Sequence, residues 1–188
     1  MIIMKNFNKI IMILTVGILS KATFGQNPNP INKDEYGIRV DAPKETYQYL
    51  FKLGWYETKY KLLVGPNEYK EGKGKSRNYL DKDGLTYIEK NYDEEGKVTD
   101  TATYKFNIST NKWDNTYTPK GDETVNFNAE IRDGTLTEYR NGVDSYGGKN
   151  ARWIYKIIND STYTYQGFKT YGNQEYETIF STATRTEE

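Results

Sequence analysis

From Trp55 to the C-terminus, apolar and polar side chains alternate in short runs, and most runs end at a dipeptide containing glycine. Tyr56, Thr58, Tyr60, Leu62 and Val64 fall on one face, and Glu57, Lys59, Lys61 and Leu63 on the other. A period of two is that of a half-buried strand and not of a helix. Ala102, Tyr104, Phe106 and Ile108 repeat it, as do Val125, Phe127, Ala129 and Ile131, and Trp153, Tyr155 and Ile157. Less regular strands are predicted near 76–80, 85–92, 112–118, 135–140, 162–168 and 175–184. Between them, Asp83-Gly84, Glu95-Gly96, Lys120-Gly121, Asp133-Gly134, Asn141-Gly142 and Gly172-Asn173 allow the positive φ of tight turns. Connections this short leave no room for crossover helices, so the sheet is an antiparallel meander. Nine or ten strands exceed what an open twisted sheet leaves unclosed. The predicted class is therefore all-β, an antiparallel up-and-down barrel of about eight to ten strands, because closure removes the exposed edges. A two-sheet sandwich shares this periodicity and is the rival architecture.

The N-terminal third reads differently. Residues 1–25 carry Lys5 and Lys9, then an apolar tract from Ile10 to Leu19, then Ala22-Thr23-Phe24-Gly25 with small residues where a signal peptidase reads. Ten residues of helix rise only about 15 Å, half a hydrocarbon core, so a retained span is not expected. The expectation is a bacterial secretory leader cut before Gln26, with no cysteine for lipid attachment, and a product in the periplasm or outside the cell. Residues 26–40, with Pro28 and Pro30, read as a flexible lead-in, and 41–188 as the barrel domain. One short helix opens that domain. Asp41 is placed to cap it, Pro43 suits its first turn, and Tyr47, Leu50, Phe51 and Leu53 form one apolar face before Gly54.

Composition narrows the chemistry. The chain has no histidine and no cysteine, which excludes thiol nucleophiles, Ser-His-Asp triads, disulfides and the usual zinc, haem or copper sites. Its 26 basic and 26 acidic residues balance, and loss of Lys5, Lys9 and Lys21 with the leader leaves 23 against 26. A mildly acidic chain without a basic tract is a poor match to nucleic acid. Asp81-Lys82-Asp83-Gly84 has its glycine too early for a calcium loop and reads as a hairpin turn. Gly72-Lys73-Gly74-Lys75-Ser76-Arg77 lacks the spacing of a phosphate loop and reads as a basic, exposed connection. Carboxylates concentrate at turns and outward strand positions, as solvated charge does, and no catalytic, metal or cofactor residues are assigned.

Several segments in order carry a family likeness. Leu53-Gly54-Trp55-Tyr56 closes a helix and opens a strand. Tyr104 to Tyr117, Y-K-F-N-I-S-T-N-K-W-D-N-T-Y, is an aromatic hairpin around an Asn-rich turn. Ala151-Arg152-Trp153 with Asn159-Asp160-Ser161-Thr162 is a later one, and Thr182-Ala183-Thr184-Arg185 ends the last strand. Over about 45–188 the chain resembles secreted bacterial lipocalin-like proteins of the calycin group, a family without an assigned function. The resemblance implies a calycin barrel in which Arg185 lies across an aromatic ring of the first strand, Trp55 or Tyr56, and closes one end.

Eighteen tyrosines stand against seven phenylalanines. A phenol has an apolar body and one polar tip, which suits a cavity lining, although tyrosine is also a good strand former. Alternation turns Tyr56, Tyr60, Tyr104, Trp113, Tyr117, Trp153 and Tyr155 inward, and these are the candidate ligand-binding residues. With no cation evident in that set, the expected partner is a small neutral or amphipathic molecule. The alternative is a filled barrel acting as a structural, carbohydrate- or protein-interaction module. An enzyme ranks third, because nothing in the residue spacing positions Asp, Glu, Tyr or Lys for catalysis.

Overall fold

The computed structural model describes residues 31–187, apart from 122, 133–134 and 145–146. The leader expected over 1–25 and the turn expected at Asp133-Gly134 lie outside these residues. A 3-10 helix, Lys44–Lys52, precedes ten strands: β1 (Gly54–Gly65), β2 (Glu68–Leu80), β3 (Thr86–Tyr92), β4 (Val98–Asn107), β5 (Lys112–Pro119), β6 (Val125–Arg132), β7 (Thr135–Val143), β8 (Lys149–Asn159), β9 (Thr162–Tyr171) and β10 (Gln174–Thr186). Each strand pairs antiparallel with its neighbours in sequence, and β1 pairs with β10 from Trp55 opposite Thr186 to Leu62 opposite Ile179. That last ladder makes the fold a closed up-and-down barrel and not a sandwich, and it leaves no sheet edge unpaired. Among the described residues no helix is long and apolar enough to cross a membrane.

Two local readings of the sequence are corrected. The segment Gly72 to Arg77, expected as an exposed connection, lies within β2. Lys73, Lys75 and Arg77 point to water while Gly72, Gly74 and Ser76 take the inward positions. The period of two is present, but its inward members are too small to register as hydropathy. Asn141-Gly142, expected as a tight turn, falls at the end of β7, where the register against β8 shifts between Arg140 and Val143. The chain reverses a few residues later, where the Asp144 amide donates to the Gly148 carbonyl at 2.8 Å.

The helix is also wound differently from the amphipathic α-helix expected. It has three residues per turn, so its buried stripe runs Thr46, Tyr49, Lys52. Tyr47, assigned to the apolar face, is 37% exposed. Asp41 makes no cap and pairs instead with Arg39. The preceding segment, expected to be a flexible lead-in up to Val40, is bonded to the barrel: Ile38 is fully buried, Lys33 bridges Arg39, and the Arg39 amide donates to the Gly84 carbonyl. At Gly84 a Cβ would come within 3.0 Å of Arg39 N and Gly37 O, and its φ of 67° also requires glycine.

Candidate functional site

The 3-10 helix sits across the end of the barrel where β1 begins, and barrel tyrosines hold it through its own carbonyls. Tyr87 donates to the Thr46 carbonyl at 2.8 Å, Tyr56 donates to the Phe51 carbonyl, and Trp113 Nε1 donates to Gln48 Oε1 at 2.8 Å. The last carbonyls of a helix lack intrahelical partners, and the Tyr56 phenol reaching in from the wall satisfies that of Phe51 without opening the core to water. Tyr49 packs edge-on to Trp113 at 4.7 Å and against Tyr104 at 4.4 Å. This end is a solid aromatic layer.

Arg185 closes its rim. Its Nε donates to the Tyr56 hydroxyl at 3.1 Å, its Nη2 donates to the Phe51 carbonyl at 3.3 Å, and its guanidinium lies 5.6 Å from the Tyr56 ring centre. Trp55 is not its partner. Alternation turns Trp55 outward, where it stacks with Tyr92 at 5.6 Å and with the Arg77 guanidinium at 5.4 Å. We expect Arg185→Ala to cost about 1–2 kcal/mol in denaturant unfolding, less than the full sum of two hydrogen bonds and a cation–π contact because the side chain is exposed to water. Lys75→Ala, which removes only an exposed 3.7 Å pair with Glu57, should cost a few tenths. Equal losses would deny Arg185 a closing role.

Directly inside the plug lies a buried charged cluster. The Lys52 ammonium contacts Glu89 Oε2 and the Tyr104 hydroxyl, each at 2.6 Å, and Tyr104 donates to Glu89 Oε2 at 2.7 Å. The same ammonium lies 4.2 Å from the Tyr104 ring centre and 5.0 Å from that of Tyr155. Glu138, 4% exposed, accepts from Tyr49 on one carboxylate oxygen at 2.9 Å and from Tyr155 on the other at 3.1 Å. Asn115 Nδ2 in turn donates to the Tyr49 hydroxyl at 3.2 Å.

The two carboxylates titrate apart. Burial opposes ionisation of both. At Glu89 the adjacent Lys52 ammonium and several hydrogen bonds overcome it and hold the carboxyl below its usual range. At Glu138 burial dominates, the Glu89 charge adds to it, and the value is pushed up to about 7 in spite of Lys52 and the two phenols. Burial, reinforced by these carboxylates, raises the Tyr49, Tyr104 and Tyr155 phenols well above their usual range, so they remain O–H donors at neutral pH.

Beyond this floor the barrel is hollow. A cavity of about 1320 Å³ extends from Lys52, Glu89 and Glu138 to the opposite end, where Leu62, Val64, Pro66 and Tyr176 form the mouth. Ten strands enclose a wider interior than eight, and the inward positions of four strands carry Gly72, Gly74, Ala102, Ala151 and Ser181. Glycine also makes room for rings to lie along the wall. A Cβ on Gly167 would meet Trp153 Cδ1 at 2.8 Å and Ile179 Cγ2 at 2.5 Å.

Of the residues assigned to ligand binding from the sequence, Tyr60, Tyr104, Tyr117, Trp153 and Tyr155 line this cavity. Tyr56 and Trp113 do not; both are buried in the aromatic layer at the plug. Lys52, Glu89, Glu138 and Arg140 line the cavity and were missed. Their signal was available in register: Glu89 stands two residues from Tyr87, and Glu138 two from Leu136, on the inward face of each strand. These two carboxylates are exceptions to the expectation that most lie at turns or outward. The expectation of a site without a cation also fails, since Lys52 enters from the helix and Arg140 from β7. Among the described residues no group of three or more acidic side chains could hold a metal ion.

No family model and no curated protein matches the chain.

Proposed function

We propose that the protein is a binding barrel for a small amphipathic molecule, exported by the leader read in residues 1–25. The apolar body would lie against Trp153, Phe127, Tyr60 and Tyr117, and the polar end would face the Lys52–Glu89–Glu138 floor. The observation that carries this reading is the cavity of about 1320 Å³, which exceeds the roughly 300–1,000 Å³ of ordinary small-molecule sites and is walled by aromatic rings. A filled barrel would have no such space. The polar floor supports an amphipathic ligand over a wholly apolar one, because displacing water from buried charges without replacing its hydrogen bonds is costly.

The test is a fluorescence titration with N-phenyl-1-naphthylamine, a neutral dye that brightens in apolar sites. Saturable one-to-one binding is expected in the wild type. It should weaken in Ala151→Trp, which projects an indole into the cavity from β8 and should keep the circular dichroism of the barrel. Absence of saturation, or equal binding by Ala151→Trp, would count against the cavity as the site.

A further inference from the structure

We infer that the ligand carries a protonated amine, and that Glu138 is the group that receives it. This rests on the binding-barrel reading and specifies the ligand class for the same cavity. Among the described residues of the floor, two carboxylates share one ammonium, and Lys52 is committed to Glu89 at 2.6 Å. Glu138 is left with two neutral donors, Tyr49 and Tyr155, one to each oxygen. A carboxylate offers about four acceptor sites, so roughly two remain on a group that lines the cavity. An ammonium head would bring both N–H donors and the opposite charge. The walls beside Glu138 suit such a head, because Trp153 is its direct partner across the β7–β8 ladder and Phe127 lies 6.3 Å from that ring.

The protonation of Glu138 fits this assignment. Without a cation the carboxyl takes up a proton near neutrality, and a bound ammonium would displace it. The groups facing it are Tyr49 and Lys52 from the helix, Glu89 from β3, Tyr104 from β4, Tyr155 from β8 and Tyr163 from β9. Of these, only Glu89 and Lys52 carry charge, and they neutralise each other. Arg140, two residues nearer the mouth on the same strand, also lines the cavity and is where a carboxylate-bearing ligand would bind instead.

Three dansyl probes with five-carbon chains separate these outcomes: dansylcadaverine with its ammonium, the N-pentyl dansylamide as the neutral form, and dansyl-6-aminohexanoate as the anion. Binding is read by energy transfer from tryptophan. The amine should bind at least about tenfold more tightly than the neutral probe at pH 8, the size of a charge-assisted hydrogen bond. Its affinity should fall about tenfold from pH 8 to pH 6 as Glu138 protonates, while that of the neutral probe stays constant. Glu138→Gln should erase the amine's advantage and leave neutral binding unchanged; if that variant does not fold, the wild-type pH profile decides. Neutral or anionic probe binding as tight as the amine, or amine affinity flat from pH 6 to 8, would overturn the inference and leave the binding barrel standing. Failure of all three probes to bind would overturn the barrel reading and the inference with it.

Discussion

Replacing Lys52 by Met should lower the unfolding free energy by about 3–5 kcal/mol, measured by urea denaturation at pH 7. The side chain is 3% exposed, and its ammonium is the charge that keeps the buried Glu89 ionised. Methionine fills much of the same volume, so the loss is electrostatic more than steric. Glu89 would be left as an uncompensated buried carboxylate, with only Tyr104 and Asn91 to bond it. The double variant Lys52→Met/Glu89→Gln removes both charges and should recover at least half of the loss, because deleting a buried pair is far cheaper than splitting one. If the double variant is as unstable as the single one, the ammonium acts through its packing on the Tyr104 and Tyr155 rings and not through Glu89.

Glu138→Gln should stabilise the fold at high pH. The folded value of Glu138, about 7, lies above that of an unfolded carboxyl. Its contribution to stability is therefore present in full below about 4.5 and is lost as pH rises through about 7. Carried to completion, the loss amounts to about 3 kcal/mol. Asp100, also raised by burial, has the same sign, whereas Glu89 has the opposite sign and acts below the usual carboxylate range. Comparing wild type with Glu138→Gln isolates the Glu138 part. The two melting temperatures should be close at pH 5 and separate by several degrees by pH 8, with the variant higher, since about 1 kcal/mol is worth 2–4 °C at this size. Parallel curves would mean that Glu138 ionises in the folded barrel without penalty.

Much of the barrel was legible because a strand is a local statement. Tyr56, Tyr60, Tyr104 and Phe106 alternate with charged or polar neighbours, and that pattern suffices to place β1 and β4 with their buried faces. β2 was half hidden, because Gly72, Gly74 and Ser76 occupy its inward positions and carry almost no hydropathy. The helix was placed correctly in the chain, and Leu50, Phe51 and Leu53 pack on the core as expected, but Tyr47 does not, and the buried stripe of Thr46, Tyr49 and Lys52 lines up only at three residues per turn. The surplus of tyrosine over phenylalanine signalled buried phenols with polar duties. Its meaning emerged in contacts such as Tyr87 to the Thr46 carbonyl and Tyr49 to Glu138.

Periodicity and turn chemistry alone thus specified an all-β chain of short antiparallel strands with one helix before them, because each of those choices is settled within a few residues. Closure through β1 and β10, the hollow interior and the charged floor were decided by the tertiary structure. Lys52, Glu89 and Glu138 come from the helix, β3 and β7, segments far apart in sequence, and whether each meets water or another charge depends on what stands across the barrel. Tyr56 and Trp113 show the same limit from the other side. Both face inward as alternation requires, yet the plug converts their end of the barrel into solid core and leaves the open cavity to Tyr60, Tyr117 and Trp153. Side-chain direction is a property of the strand, whereas the volume in front of it depends on every other strand and on the plug.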